Sequence, residues 1–166
     1  MSYRCANCGM VHEDWPSITY GAPATYSQLT EEEKDTIAEM GSDHCIIHKP
    51  QQTDRFIRCT LMQKVNDHCD NLYYSIWVSL SEKSFNDYMH NFNNENYLAG
   101  YFGYLSNNLL GYENTMNIYT NVFTQAGNNR PEVVPHDDFD HPFVKDYFEG
   151  ISLSEAQRRI DMLLTK

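Results

Sequence analysis

The chain has 166 residues, 41% of them hydrophobic and 13% aromatic, which excludes the low-hydrophobicity, high-charge profile of a disordered segment and suits one domain whose core needs no disulfides. A formal charge of −11, with no Lys/Arg run longer than Arg158-Arg159, argues against binding nucleic-acid phosphates and favours a basic protein partner, although acidity also simply keeps proteins dispersed. No apolar run approaches the roughly 18 residues of a membrane span and no basic-then-apolar leader follows Met1, so no membrane association and a cytoplasmic location are expected.

In chain order, residues 1 to 12 carry a cysteine pair, and residues 13 to 28, with Pro16, Gly21 and Pro23, read as an irregular wrap. Thr30-Glu31-Glu32-Glu33 is a capping box, predicting a short acidic helix that runs to about Met40 and stops at Gly41. Cys45 to His48, the turn 49–52 and the alternating run Arg55 to Val65 predict a hairpin. Leu72 to Leu80 reads as a central strand. Ser79-Leu80-Ser81-Glu82 then passes the chain into a helix ending near Asn91. Tyr97 to Leu105 and Thr115 to Thr124 read as two more strands. Pro131 to Pro135 allows only a short edge strand, because proline cannot donate to a ladder. Ser152-Leu153-Ser154-Glu155 caps a C-terminal helix with Ile151, Ala156, Ile160, Leu163 and Leu164 on one stripe. Hairpin neighbours outnumber crossovers, so the expected fold is α+β: a mostly antiparallel sheet with about three helices packed on it and an N-terminal zinc-knuckle segment. Residues 1–166 are expected to form a single domain, with a cysteine/histidine metal-binding part at 1–48 and the sheet and helices at 53–166.

Five cysteines, an odd number, argue for reduced thiols rather than a disulfide framework. Cys5-x2-Cys8-Gly9 has the spacing at which two thiolates meet one ion, with Gly9 relieving the turn. Such a pair is half of a tetrahedral site. Asp43-His44-Cys45-Ile46-Ile47-His48 supplies Cys45 and a histidine, and His12 is the other candidate for the fourth place. His48 points to the opposite face from Cys45 if the segment is a strand, so His12 with Cys45 is preferred and His48 is the alternative. Two unliganded thiols are the plainer reading of the pair. A thioredoxin-type redox pair would need a helix N-terminus after a strand. Cys59, inside an alternating strand, reads as core, and Cys69, beside His68, as a loop thiol with ligation as its other reading. The expected cofactor is one structural zinc per chain, because a Cys3His shell is closed to substrate.

HExxH, a Gly-rich phosphate loop and Gly-x-Ser-x-Gly do not occur. His136, Asp137, Asp138 and His141 form a further polar cluster that suits either cation or acid/base chemistry, or a solvated loop before a helix.

The order Cys5-x2-Cys8-Gly9-x2-His12, Ser42-Asp43-x-Cys45, Phe56-Ile57-Arg58, Trp77-Val78-Ser79-Leu80-Ser81, Arg130-Pro131, His141-Pro142 and Gly150-Ile151-Ser152 resembles the bacterial domain-of-unknown-function family numbered twenty-one ninety-nine. The resemblance spans nearly the whole chain and implies a small bacterial domain in which Cys5, Cys8, His12 and Cys45 match the family's cysteine and histidine positions, whereas His48 matches none. Cys59 stands where that family often has Gly. The family's name carries no activity, so the resemblance leaves function open. Two functions are therefore expected in competition. One is a non-enzymatic, zinc-stabilised acidic protein-binding domain, with an immunity protein that neutralises a basic toxin domain as its biological form. The other is a small metal-dependent enzyme, with metal at the cysteines or at His136, Asp137, Asp138 and His141.

Overall fold

A computed structural model describes residues 2–4 and 8–165. A small antiparallel hairpin, β1 (Ser2–Arg4) with β2 (Val11–Glu13), precedes an eight-stranded mixed sheet. That sheet holds β3 (Ile18–Thr19), β4 (Ala38–Met40), β5 (His44–His48), β6 (Thr53–Gln63), β7 (Leu72–Leu80), β8 (Gly100–Leu105), β9 (Tyr119–Phe123) and β10 (Glu132–Pro135). Five helices occur among the described residues: α1 (Ala24–Ser27), α2 (Glu31–Ile37), α3 (Glu82–His90), α4 (Pro142–Glu149) and α5 (Leu153–Leu164). The α+β class is as expected. The sheet is more mixed and the helices more numerous than the sequence pattern suggested.

The departure from an antiparallel sheet has a local cause in the two long strands. One edge of β7 pairs with β6 along its length, while its other edge is shared between β8 at Val78–Leu80 and a parallel contact with β3 at Tyr74–Ser75. The outer edge of β6 is likewise shared, between β5 at residues 53–57 and a parallel contact with β10 at Thr60. The Thr60 N–H donates to the Pro131 carbonyl at 2.8 Å, so the run β6–β7–β8–β9–β10 returns to β6 and closes as a five-stranded barrel. Thus β10 is paired on both sides and is not an edge. Its prolines fall at the strand's margins, where the missing donors cost little.

Strand alternation sends Ile57, Cys59, Leu61, Ile76, Val78, Tyr101, Leu105, Val122 and Val133 into one core, joined by Phe85 of α3 and Phe143 and Ile160 of α4 and α5. Gly103 is required there, because a Cβ would collide with the Val78 side chain and lie 2.9 Å from the Ser79 carbonyl oxygen. The opposite face of β5–β7 forms a second core of Cys45, Ile47, Phe56 and Trp77, covered by Tyr20, Tyr26, Leu29 and Ile37 from the chain around α1 and α2.

The Thr30 capping box forms as read, with the hydroxyl accepting from the Glu33 N–H at 3.1 Å and Glu33 accepting from the Thr30 N–H at 2.8 Å. The helix stops at Ile37, before Met40, because Ala38 turns extended and β4 pairs with β5. Ser81, rather than Ser79, caps α3 by accepting from the Ser84 N–H at 3.2 Å. Among the described residues no helix is long and apolar enough to cross a membrane.

Candidate functional site

The first feature is a cluster of thiols and imidazole at the N-terminal hairpin. Cys8 lies in the β1–β2 turn and His12 on β2, while Cys69 comes from the β6–β7 loop. One ligand-type atom from each lies within 4.8 Å of the others. Cys8 Sγ is 3.1 Å from His12 Nε2. Zinc bond lengths of about 2.3 Å to sulfur and about 2.0 Å to nitrogen place the two atoms about 3.5 Å apart across a tetrahedral angle, so the two donors lie somewhat closer than a tetrahedral zinc would hold them. The group can hold a metal ion.

The backbone explains why these three meet. Gly9 takes φ +72° with nothing near its missing Cβ, so its value to the turn is the left-handed conformation rather than relief from crowding. The Arg4 guanidinium donates to the Gly9 carbonyl at 2.6 Å and braces that turn. Facing it, the 66–71 loop is stiffened by its own bonds: the Asp70 N–H donates to His68 Nδ1 at 3.1 Å, and Asn71 Oδ1 accepts from the Val65 N–H at 3.3 Å. The His68 ring stacks on Trp15 at 4.6 Å and meets His12 edge-on at 4.6 Å, which fixes the plane of the His12 imidazole.

Of the ligands expected from sequence, Cys8 and His12 are brought together, and Cys5 lies outside the described residues. Cys45 is elsewhere. It faces the second core with Ile47, Phe56 and Trp77, wholly buried, and burial pushes its thiol up to about 12. The strand period that puts Ile47 into that core puts Cys45 there too, and the segment around α1 and α2 seals it. His48 is exposed, with Nε2 2.8 Å from Glu39 Oε2 across the β4–β5 pair. Cys69, and not Cys45, is the cysteine that lies beside Cys8 and His12 among the described residues. Its signal was the His68-Cys69 pair in a polar turn, which spacing alone could not connect to residues 8 and 12.

The polar cluster after β10 divides in two. His141 is the N-cap of α4, its Nδ1 accepting from the Phe143 N–H at 3.0 Å and its Nε2 donating to the Glu113 carbonyl at 2.7 Å. His136 Nε2 sits 3.0 Å from Asn121 Oδ1. Both imidazoles therefore serve local structure. Asp137, Asp138 and Asp140 line a shallow cleft with Phe139.

Beside that acidic loop, the outer face of β8 and β9 presents Phe102, Tyr104 and Tyr119, each 40–46% exposed. Their ring centroids lie 5.0 to 5.6 Å apart in edge-to-face contact, and Tyr119 reaches Phe139 at 5.2 Å. The sequence signal was the run Tyr101-Phe102-Gly103-Tyr104, aromatic on both faces, in which Tyr101 is the one buried aromatic.

Fold and site together define a small α+β protein with a five-stranded barrel and a cysteine–histidine group where the N-terminal hairpin meets the β6–β7 loop. The chain belongs to the bacterial family described as uncharacterized protein conserved in bacteria (DUF2199), which it matches over residues 4–151. No curated protein and no solved structure matches it.

Proposed function

We propose that the protein is a non-enzymatic binding domain, stapled by one structural zinc, whose aromatic β8–β9 face takes a basic protein partner. The observation that carries this reading is the exposed cluster Phe102, Tyr104 and Tyr119 with Asp137, Asp138 and Asp140 on the adjoining loop. Contiguous exposed aromatics favour association, rigid Tyr and Phe rings anchor interfaces, and a charge of −11 speeds encounter with a basic surface. An immunity protein that neutralises a basic toxin domain is the biological form this takes. Zinc suits the donors because thiolates and imidazole are its usual structural ligands, and in sequence Cys5 stands at the Cys-x2-Cys spacing of a further thiolate. The metal would hold the chain's first strands against the β6–β7 loop.

The test is direct binding of the purified chain to basic proteins encoded beside it. Phe102→Ala and Tyr119→Ala are expected to weaken binding at least tenfold, and Asp137→Asn with Asp138→Asn to slow association and flatten its salt dependence. Binding that survives all four changes, or no binding to any such protein, would count against the proposal.

A small metal-dependent enzyme is the second reading. A cleft of about 170 Å³ lined by Asp14, Trp15 and Asp70 beside the cysteine group favours it. X-ray absorption showing one nitrogen and three sulfurs on the metal, with no water, would exclude it.

A further inference from the structure

A cleft of about 620 Å³ opens where the 91–99 and 124–131 loops meet Asp43. Six side-chain amides line it: Asn91, Asn93, Asn94, Gln125, Asn128 and Asn129. Its walls are clasped together. The Gly127 N–H donates to the Glu95 carbonyl at 2.9 Å. Thr124 Oγ1 donates to the Tyr97 carbonyl at 2.9 Å and accepts from the Ala99 N–H at 2.8 Å.

Several amides are half used. Asn91 Nδ2 donates to the Asp87 carbonyl at 2.9 Å and Asn129 Nδ2 to the Ala126 carbonyl at 3.1 Å, while Asn94 Oδ1 accepts from the Asn96 N–H at 3.2 Å. The other end of each makes no hydrogen bond among the described residues, and the Asn93 and Asn128 side chains make none at either end. Gln125 Nε2 likewise donates to Glu132 Oε2 at 3.0 Å, so each of the four half-used amides is oriented by one bond and offers the other end to a ligand.

Arg130 follows the same pattern. Its Nε donates to Asp43 Oδ1 at 2.7 Å, and its two terminal amino groups are uncommitted among the described residues. Partial burial raises the Asp43 carboxyl, but the hydrogen bond and charge of Arg130 outweigh it and hold the group below its ordinary value. Among the described residues Asp43 and Arg130 are the only charged side chains lining the cleft, and they cancel.

This lining selects by charge and by hydrogen-bond capacity. An anion meets an arginine already neutralised, and a cation meets an aspartate already paired. An apolar ligand would strand the amides. A neutral ring bearing several hydroxyls fits, since each hydroxyl donates once and accepts twice, matching free amide carbonyl and amino ends. Phe92, 46% exposed at the rim, supplies an apolar face for the C–H side of such a ring. We infer that the cleft between the 91–99 and 124–131 loops is a saccharide site that takes a neutral pyranose.

The test is a titration of the isotope-labelled full chain with glucose, galactose, mannose and N-acetylglucosamine at millimolar concentrations, followed in nitrogen–proton spectra. The expected result is movement of the Asn93 and Asn128 side-chain amides and the Gly127 backbone amide with at least one sugar. Asn128→Ala and Phe92→Ala, which remove no internal hydrogen bond, are expected to raise Kd at least tenfold while the remaining spectrum stays unchanged. Three results would overturn the inference: no movement with any of the four sugars, movement that persists in both variants, or equal movement with a blocked neutral dipeptide. None of these changes touches the cysteine group or the aromatic face, so failure here leaves the protein-binding proposal standing.

Discussion

Arg159→Met should destabilise the fold by about 3 kcal/mol. Arg159 is 1% exposed and donates to the Tyr74 hydroxyl at 3.0 Å, to Glu155 Oε1 at 3.0 Å, to Asp146 Oδ2 at 3.2 Å and to the Tyr112 hydroxyl. Methionine keeps most of the stem's packing and removes the guanidinium. Tyr112 still donates to Asp146 Oδ2 at 2.5 Å, and the Asp146 and Glu155 side chains, 37% and 30% exposed, turn to water. The Tyr74 hydroxyl is left buried without a partner, which costs about 1–3 kcal/mol, and the lost ion pairs add about 1 kcal/mol. An unfolding entropy near 2.1 cal/mol/K per residue gives roughly 0.35 kcal/mol/K for this chain, so the thermal midpoint should fall by about 9 °C. Calorimetry of Arg159→Met, Tyr74→Phe and the double variant checks both size and origin. The double variant should lose less than the sum, with a coupling of about 2 kcal/mol. A midpoint within about 2 °C of the parent, or strict additivity, would refute the reasoning.

Gly103→Ala should cost about 1–3 kcal/mol in urea unfolding, because the new methyl meets Val78 and the Ser79 carbonyl inside the barrel wall. Cys45→Ser should cost a similar amount by burying a hydroxyl among Ile47, Phe56 and Trp77, and should leave bound metal unchanged. The hydrogen bonds from Arg158, then the one from Arg159, hold the Glu155 carboxyl at about 2, below its unfolded value. Its contribution is therefore full above about pH 4.3 and is lost as pH falls toward about 2; a thermal series over that window should fall less steeply in Glu155→Gln.

Local chemistry was legible in the sequence wherever a few neighbouring residues decide the outcome. The Thr30 capping box and the aromatic and β-branched run of β7 were readable because their determinants lie within one turn or one strand. The end of α2 was not, since the helical preference of Ala38 to Met40 yields to pairing with β5. Closure of the barrel escaped the pattern for a similar reason. It depends on a short long-range pairing at Thr60, made by a strand whose prolines read as an edge. The cysteine group was half legible. The Cys8–His12 relation is local, but the choice between Cys45 and Cys69 is made by tertiary placement, which buries Cys45 in the second core and lays the 66–71 loop beside the N-terminal hairpin.

The most direct measurement of the metal-staple claim is metal content by elemental mass spectrometry on untagged protein, wild type beside Cys8→Ser, His12→Ala, Cys69→Ser and Cys45→Ser. About one zinc per chain is predicted, retained in Cys45→Ser and lost in the other three together with thermal stability. A wild-type protein without metal, or zinc that leaves with Cys45 and stays when Cys69 is changed, would contradict it.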